Sequence, residues 1–186
     1  MSANYEKLPE NLPVPEDDGA CDHLMGVNLP DIELPSTRGG MVNPARVAGK
    51  VVIFCYPMTG KPGVALPEGW DDIPGARGCT PQNCAFRDSS AEIRELGAEI
   101  FGLSTQDRDY QQEMAERLHL PFPVLSDIEM EFSSALRLPL FSVDGMDLLK
   151  RVTIIAGNGV IEAVHYPVFP SNSDPAWVLK HLRTRG

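Results

Sequence analysis

The chain has 186 residues, 42% of them apolar and 23% charged, which suits one substantial core and excludes a disordered or membrane-embedded polypeptide. Its formal charge of -10 opposes a phosphate backbone, which needs a basic face to displace counterions, so nucleic acid is not expected as a partner. No apolar run approaches membrane-spanning length, and four cysteines are too few to staple a small secreted fold, so a cytoplasmic location with no membrane partner is expected.

Residues 1–23 are polar, acidic and proline-rich, unlike the basic-then-apolar plan of a secretory signal, and read as a flexible N-terminal arm before a single domain over 24–186. Asp31 to Leu34 alternates polar and apolar residues and runs into the Thr37–Gly40 turn, so a short hairpin is expected to open the domain. Val51 to Tyr56 is a continuous β-rich apolar run, the pattern of a strand buried on both faces and the natural centre of a sheet. From Pro57 to Gly78 proline and glycine recur too often for a regular element, which predicts a long loop, and loops of that length tend to be functional.

Thr80-Pro81 reads as a helix start, Thr80 capping and Pro81 at the first helical position; Phe86, Ile93 and Leu96 share a face, and Gly97 ends the helix. A strand over Glu99–Ser104 and a helix over Asp107–Leu118 follow, the latter with Tyr110, Met114 and Leu118 in register. Then come a short strand over Pro123–Ser126, a short helix over Glu129–Leu136 and a strand over Arg151–Ala156. Asn158-Gly159 turns the chain into a strand over Val160–Tyr166, and Asp174-Pro175 opens a last helix. This order predicts an α/β fold with a central mixed sheet flanked by helices and an N-terminal hairpin extension.

Chemistry concentrates in Gly78-Cys-Thr-Pro-Gln-Asn-Cys84, where one cysteine precedes the helix and a second lies within its first turns. An ordinary thiol with a pKa of about 8.5 is only a few per cent ionised at neutral pH, and bringing it to roughly 6 takes about 3 kcal/mol. A helix N-terminus supplies about 1 kcal/mol and rarely 2, so a nucleophilic Cys79 requires a cation nearby, for which Arg77 and Arg151 are the candidates. Two other roles for the pair remain: buried small residues, or zinc ligands, although zinc pairs are spaced by two to four residues and Cys21, Cys55 and His119 form no second pair. Cys55 reads as a core residue and Cys21 as a spare thiol or second resolving thiol. His119 and His165 read as surface or strand-end residues, and the runs Glu16–Asp18 and Asp71-Asp72 as solvated charge.

Five-residue spacing has its own consequence, because an ideal helix separates such α-carbons by about 8 to 9 Å. A disulfide tolerates only about 7 Å, so a Cys79–Cys84 bond requires the first helical turns to unwind.

Five segments together resemble the peroxiredoxins, in particular their bacterioferritin-comigratory (PrxQ-like) branch. They are Gly49 to Pro57, Gly78 to Asp88 with its Gly-Cys-Thr and Phe-Arg-Asp, Gly102 to Thr105, Leu120 to Asp127, and Arg151 to Ile155. The resemblance covers nearly everything beyond Leu24. It implies a thioredoxin-like fold and a thiol-dependent peroxidase with no cofactor or metal, acting on hydrogen peroxide or organic hydroperoxides and recycled by thioredoxin or a similar dithiol. Monomer and dimer are both compatible. Cys79 would be peroxidatic, Cys84 resolving, Arg151 the stabiliser of thiolate and peroxide, and Pro57 a shield for the site. The family also places a hydroxyl three residues before its cysteine, where this chain has Ala76. Thr59 is therefore expected to fold back to the site across an insertion, with Thr80 as the competing hydroxyl. A thiol-disulfide oxidoreductase on the same fold is the alternative enzyme, disfavoured by the absence of a two-residue cysteine gap. A non-enzymatic redox-sensing module is the alternative from another class.

Overall fold

The computed structural model describes residues 7–184. In chain order its elements are β1 (Leu34–Pro35), β2 (Met41–Val42), β3 (Lys50–Cys55), α1 (Cys79–Glu95), β4 (Ala98–Ser104), α2 (Arg108–Arg117), β5 (Val124–Ser126) and α3 (Glu131–Ala135). These are followed by β6 (Leu140–Val143), β7 (Met146–Leu149), β8 (Val152–Gly157), β9 (Val160–His165) and α4 (Asp174–Thr184), with short 3₁₀ turns between some of them. Five strands form one sheet in the order β5-β4-β3-β8-β9, parallel from β3 through β5 and antiparallel from β3 through β9. The apolar run expected at the centre is indeed central.

Burial follows the two-residue period of a strand. Val51, Ile53 and Cys55 face one core with Leu24, Leu149 and Phe132 of α3, whereas Val52, Phe54 and Tyr56 face the other with α1, α2 and α4. Phe54 stacks on Phe86 of α1 with ring centroids 4.1 Å apart, which seats that helix over the central strand. The N-terminal hairpin is present, with Leu34 opposite Val42. Asp107 caps α2 by accepting from the Tyr110 N–H at 2.8 Å. Residues 1–6 of the expected arm lie outside the described residues.

Two features differ from the sequence reading. First, α1 begins at Cys79 rather than at a Thr80 cap: Gly78 is the N-cap, with φ of 111°, and no side chain caps the helix. Pro81 therefore occupies the third helical position, still inside the turn whose N–H groups lack intrahelical partners. Second, β6 and β7 form a hairpin that the strand pattern missed. Asp144-Gly145 marks it, both residues having positive φ (48° and 75°), the requirement of a tight two-residue hairpin turn.

That hairpin gives the long loop something to rest on. Trp70, Ala76 and Leu148 are buried together, with Met58, Leu66, Ile73, Phe141 and Val143 packed around them. The loop over 57–78 thus has a small core of its own, containing one 3₁₀ turn at Trp70–Asp72. Trp70→Ala should lower the unfolding free energy in urea by about 3 kcal/mol and expose the loop to proteolysis. Unchanged cleavage there would show that Trp70 does not hold it.

Candidate active site

Cys55 at the end of β3 lies opposite Val152 at the start of β8, so the chain leaving β3 and the chain approaching β8 meet at one end of the sheet. Arg151 stands just before β8, and Cys79 begins the helix reached from β3 through the long loop. The two are brought together: Arg151 Nη2 donates to Cys79 Sγ at 3.3 Å. Both are buried, each only 3% exposed. The same guanidinium donates to the carbonyls of Gly75 and Ala76, both at 3.2 Å, and of Arg77 at 3.4 Å, while Nη1 donates to Gln82 Oε1. When Cys79 carries its proton, Sγ points it at the Ala76 carbonyl, 3.6 Å away. Protonated, the thiol donates to the loop; ionised, it accepts from the arginine.

Gly78 is required twice over. Its φ of 111° strains any L side chain, and a Cβ built there would meet Ser171 Oγ and come within 2.7 Å of Leu8 Cδ2. Ser171 Oγ also donates to the Gly78 carbonyl at 2.8 Å. Cys79 opens onto a cavity of about 10 Å³, lined by Met58, Gly60, Leu66, Trp70, Arg77 and Thr80. That is the space of about one water molecule.

Of the other residues singled out in the sequence, Thr80 lines this cavity and Thr59 does not. Thr59 is buried with its hydroxyl donating to Gln106 Oε1 at 3.3 Å. Pro57 is buried at the end of the central strand, its carbonyl accepting from Ser104 Oγ at 2.9 Å. Arg77 pairs with Asp71 at 3.1 Å. Cys84 is half-buried, in no disulfide and five residues along an intact α1, so in this state the two sulfurs are held apart by the helix. Cys55 and Cys21 are buried on the opposite core from Cys79. Burial pushes the Cys55 thiol far above the ordinary range, and burial followed by the charges of Asp18, Asp17 and Asp22 pushes Cys21 up to about 12. Both stay protonated and are poor nucleophiles. His119 is exposed.

Sequence reasoning missed the polar residues behind the arginine. Gln82 Nε2 donates to Asp174 Oδ2 at 2.7 Å, and Asp174 also bonds Thr153 and His165. Asp174 is a full 92 residues from Gln82, and only its place at a helix start was legible. Tyr56 is fully buried in the same core as Cys79, with no hydrogen-bond partner for its hydroxyl among the described residues. Burial, and then the Cys79 charge, raise its phenol well above the usual tyrosine range.

The N-terminal segment crosses this region. Leu8 approaches Gly78, Pro15 approaches Gly75, and Val14, Pro15, Glu16 and Asp18 wall one side of a cavity of about 470 Å³ that reaches Arg151. Asp18 accepts from Lys150 Nζ and from the Tyr166 hydroxyl, each at 2.8 Å. These bonds, that of Lys150 foremost, hold the Asp18 carboxyl down to about 2.

A reactive-position thiol at a helix start, under a buried guanidinium at the end of a mixed sheet, defines a thiol-redox protein of thioredoxin-like fold. The chain belongs to the Redoxin family, whose profile matches residues 25–179. Within it, the chain is 28% identical over 160 residues to a chloroplastic peroxiredoxin Q of Sedum lineare, covering 86% of this chain and 77% of the relative. It is 31% identical over 112 residues to peroxiredoxin Bcp of Bacillus subtilis, covering 60% and 62%. Among solved structures, peroxidoxin BcpB of Mycobacterium tuberculosis superposes with a TM-score of 0.69 at 25% identity, covering 87% of this chain and 97% of that one. These are the relatives that the cysteine motif and its flanking segments led one to expect.

Gly78→Ala should destabilise the fold by about 1–3 kcal/mol in denaturant titration. Asp18 supplies a pH test: its folded pKa lies below the unfolded value, so its contribution is complete above about pH 4 and is lost as pH falls towards 2. Amide protection over residues 14–21 should fall through that window, whereas Asp18→Asn should show the low protection already at neutral pH.

Proposed function

We propose that Cys79 is the peroxidatic thiolate of this thiol-dependent peroxidase and Cys84 its resolving thiol. The observation that carries the reading is the 3.3 Å contact between the buried Arg151 guanidinium and Cys79 Sγ. The cation answers the developing negative charge on sulfur and then on the departing oxygen, in a site from which bulk water is excluded.

The steps balance without a cofactor. Ionised Sγ attacks the terminal peroxide oxygen and the O–O bond breaks; sulfur becomes a sulfenic acid, and the departing alkoxide or hydroxide takes up a proton to leave as alcohol or water. The start of α1 then unwinds, the Cys84 thiol condenses with the sulfenic acid, and water leaves as the disulfide forms. An external dithiol, thioredoxin or one like it, reduces the disulfide and is itself oxidised. Thr80 is the hydroxyl lining the cavity beside Cys79 and is suited to meet the bound peroxide. Pro57, two residues past β3, is read as the shield of the site on that side. The one-water cavity favours hydrogen peroxide, the smallest peroxide, which needs the least displacement of the lining, while a bulkier hydroperoxide requires Met58 or Leu66 to move further.

A cytoplasmic site of action fits the acidic chain, and among the described residues no helix is long and apolar enough to cross a membrane. The plant relatives are chloroplastic. Either a monomer or a dimer can carry the whole site, since every residue invoked lies on one chain.

Stopped-flow peroxide oxidation tests the reading. Arg151→Met should slow it by about 10²–10³-fold, Cys79→Ser should abolish it, and Cys84→Ser should leave a sulfenic acid that dimedone traps. Mass spectrometry of the oxidised wild type should find the Cys79–Cys84 disulfide. A bond from Cys79 to Cys21 or Cys55, or oxidation as slow as that of free cysteine, would overturn the assignment.

A further inference from the structure

The Arg151 guanidinium is buried, yet among the described residues no carboxylate is ion-paired with it. Its neutral partners are three loop carbonyls and the Gln82 amide, leaving Cys79 as the only group in contact, among the described residues, that can carry negative charge. One step behind Gln82 lies a fully buried carboxylate. Asp174 Oδ2 accepts from Gln82 Nε2 at 2.7 Å and from Thr153 Oγ1 at 2.6 Å, and Oδ1 bonds His165 Nδ1 at 2.8 Å. Thr153 and His165 are direct cross-strand partners on β8 and β9, and Thr153 follows Arg151 by two residues, on the same face of the strand. The carboxylate is therefore held by the same strand that delivers the arginine.

A primary amide between a carboxylate and a guanidinium has one satisfactory orientation. The carboxylate only accepts and the guanidinium only donates, so the NH₂ must face Asp174 and the oxygen must face Arg151. Reversing the amide would set oxygen against oxygen and N–H against N–H. Asparagine at 174, able to donate and accept, would tolerate the reversed amide on its own side and leave the guanidinium alone to select the orientation.

We propose that Asp174 is a positioning residue for peroxide reduction: held by Thr153 and His165, it orients the Gln82 amide, which in turn holds the Arg151 guanidinium against Cys79. This rests on the reading of Arg151 as the group that serves the peroxide.

The test compares two reagents on Cys79 in a Cys84→Ser background, at their high-pH plateaux where the thiol is fully ionised in every variant. Reaction with hydrogen peroxide uses an oriented guanidinium; alkylation by iodoacetamide does not. Asp174→Asn should lower the peroxide plateau by about tenfold and the alkylation plateau by less than about twofold. In a cycle with Gln82→Leu, the double variant should be no slower than Gln82→Leu alone, because both act along one path. A wild-type peroxide plateau, equal slowing of both reagents, or additive losses would overturn the proposal. Should Asp174→Asn fail to fold, Thr153→Val keeps the carboxylate and removes one of its donors. It should slow peroxide selectively by about threefold, and a wild-type peroxide plateau in it would count equally against the proposal. Arg151→Met separates the two levels: if it too reacts at the wild-type rate, the reading of Arg151 fails; if it is slow while Asp174→Asn is not, only the role of Asp174 fails.

Discussion

A buried guanidinium with no carboxylate against it among the described residues is the constraint on which the rest of the site depends. Taking such a charge out of water costs several kcal/mol unless its donors are met. Here Nη1 is met by the Gln82 amide and Nη2 largely by the backbone: the carbonyls of Gly75, Ala76 and Arg77 turn inward to Arg151. The glycines at 75 and 78, with φ of 76° and 111°, allow the chain to make that inward turn. The loop therefore takes its shape from the arginine, and Cys79, next along the chain, is delivered to the same donor. The residue entering β8 supplies the cation, the loop supplies the carbonyl acceptors, and α1 supplies the thiol and the Gln82 amide.

This arrangement gives physical sense to Ala76 at the position where a hydroxyl was expected. The residue contributes its carbonyl to both the cation and the thiol, and its methyl to the small core around Trp70. A long loop packed on the β6–β7 hairpin can fix a carbonyl that a short flexible one would leave to water. The same packing shuts the site to about the volume of a water molecule. Closure strengthens every electrostatic term inside it. The closed site also opposes the disulfide, since Cys84 lies five residues along a formed helix. Reactivity towards peroxide and resolution by Cys84 thus ask for two different conformations of the first turns of α1.

Much of this was legible in the chain because the signals are local. The buried central strand, the alternation of strands and helices, the Asn158-Gly159 turn and the cysteine pair each lie within a few residues, and short-range sterics and periodicity govern them. The need for a cation was also readable, since a helix end is too weak alone, and Arg151 is the one in contact. Local rules misled at the start of α1, where Thr80-Pro81 has the composition of a cap. The cap is instead Gly78, because Ser171 and Leu8 leave no room for a side chain there. The Asp144-Gly145 hairpin was missed although its turn residues were in view, its flanking strands alternating too weakly to stand out.

What the sequence by itself determined is the family, most of the order of elements and the place of the cysteine pair at a helix start, all of which follow from nearest-neighbour preferences and a recurring motif. Only the tertiary structure decided which polar groups meet. Thr80 rather than Thr59 lines the cavity at Cys79, and a glutamine and an aspartate from distant helices join behind the arginine. Hydrogen bonding acts over about 3 Å, while the glutamine and aspartate are 92 residues apart, so no local pattern could carry the information. The folded sheet, by setting Thr153 beside His165 and Arg151 two residues before Thr153, is what brings them within reach.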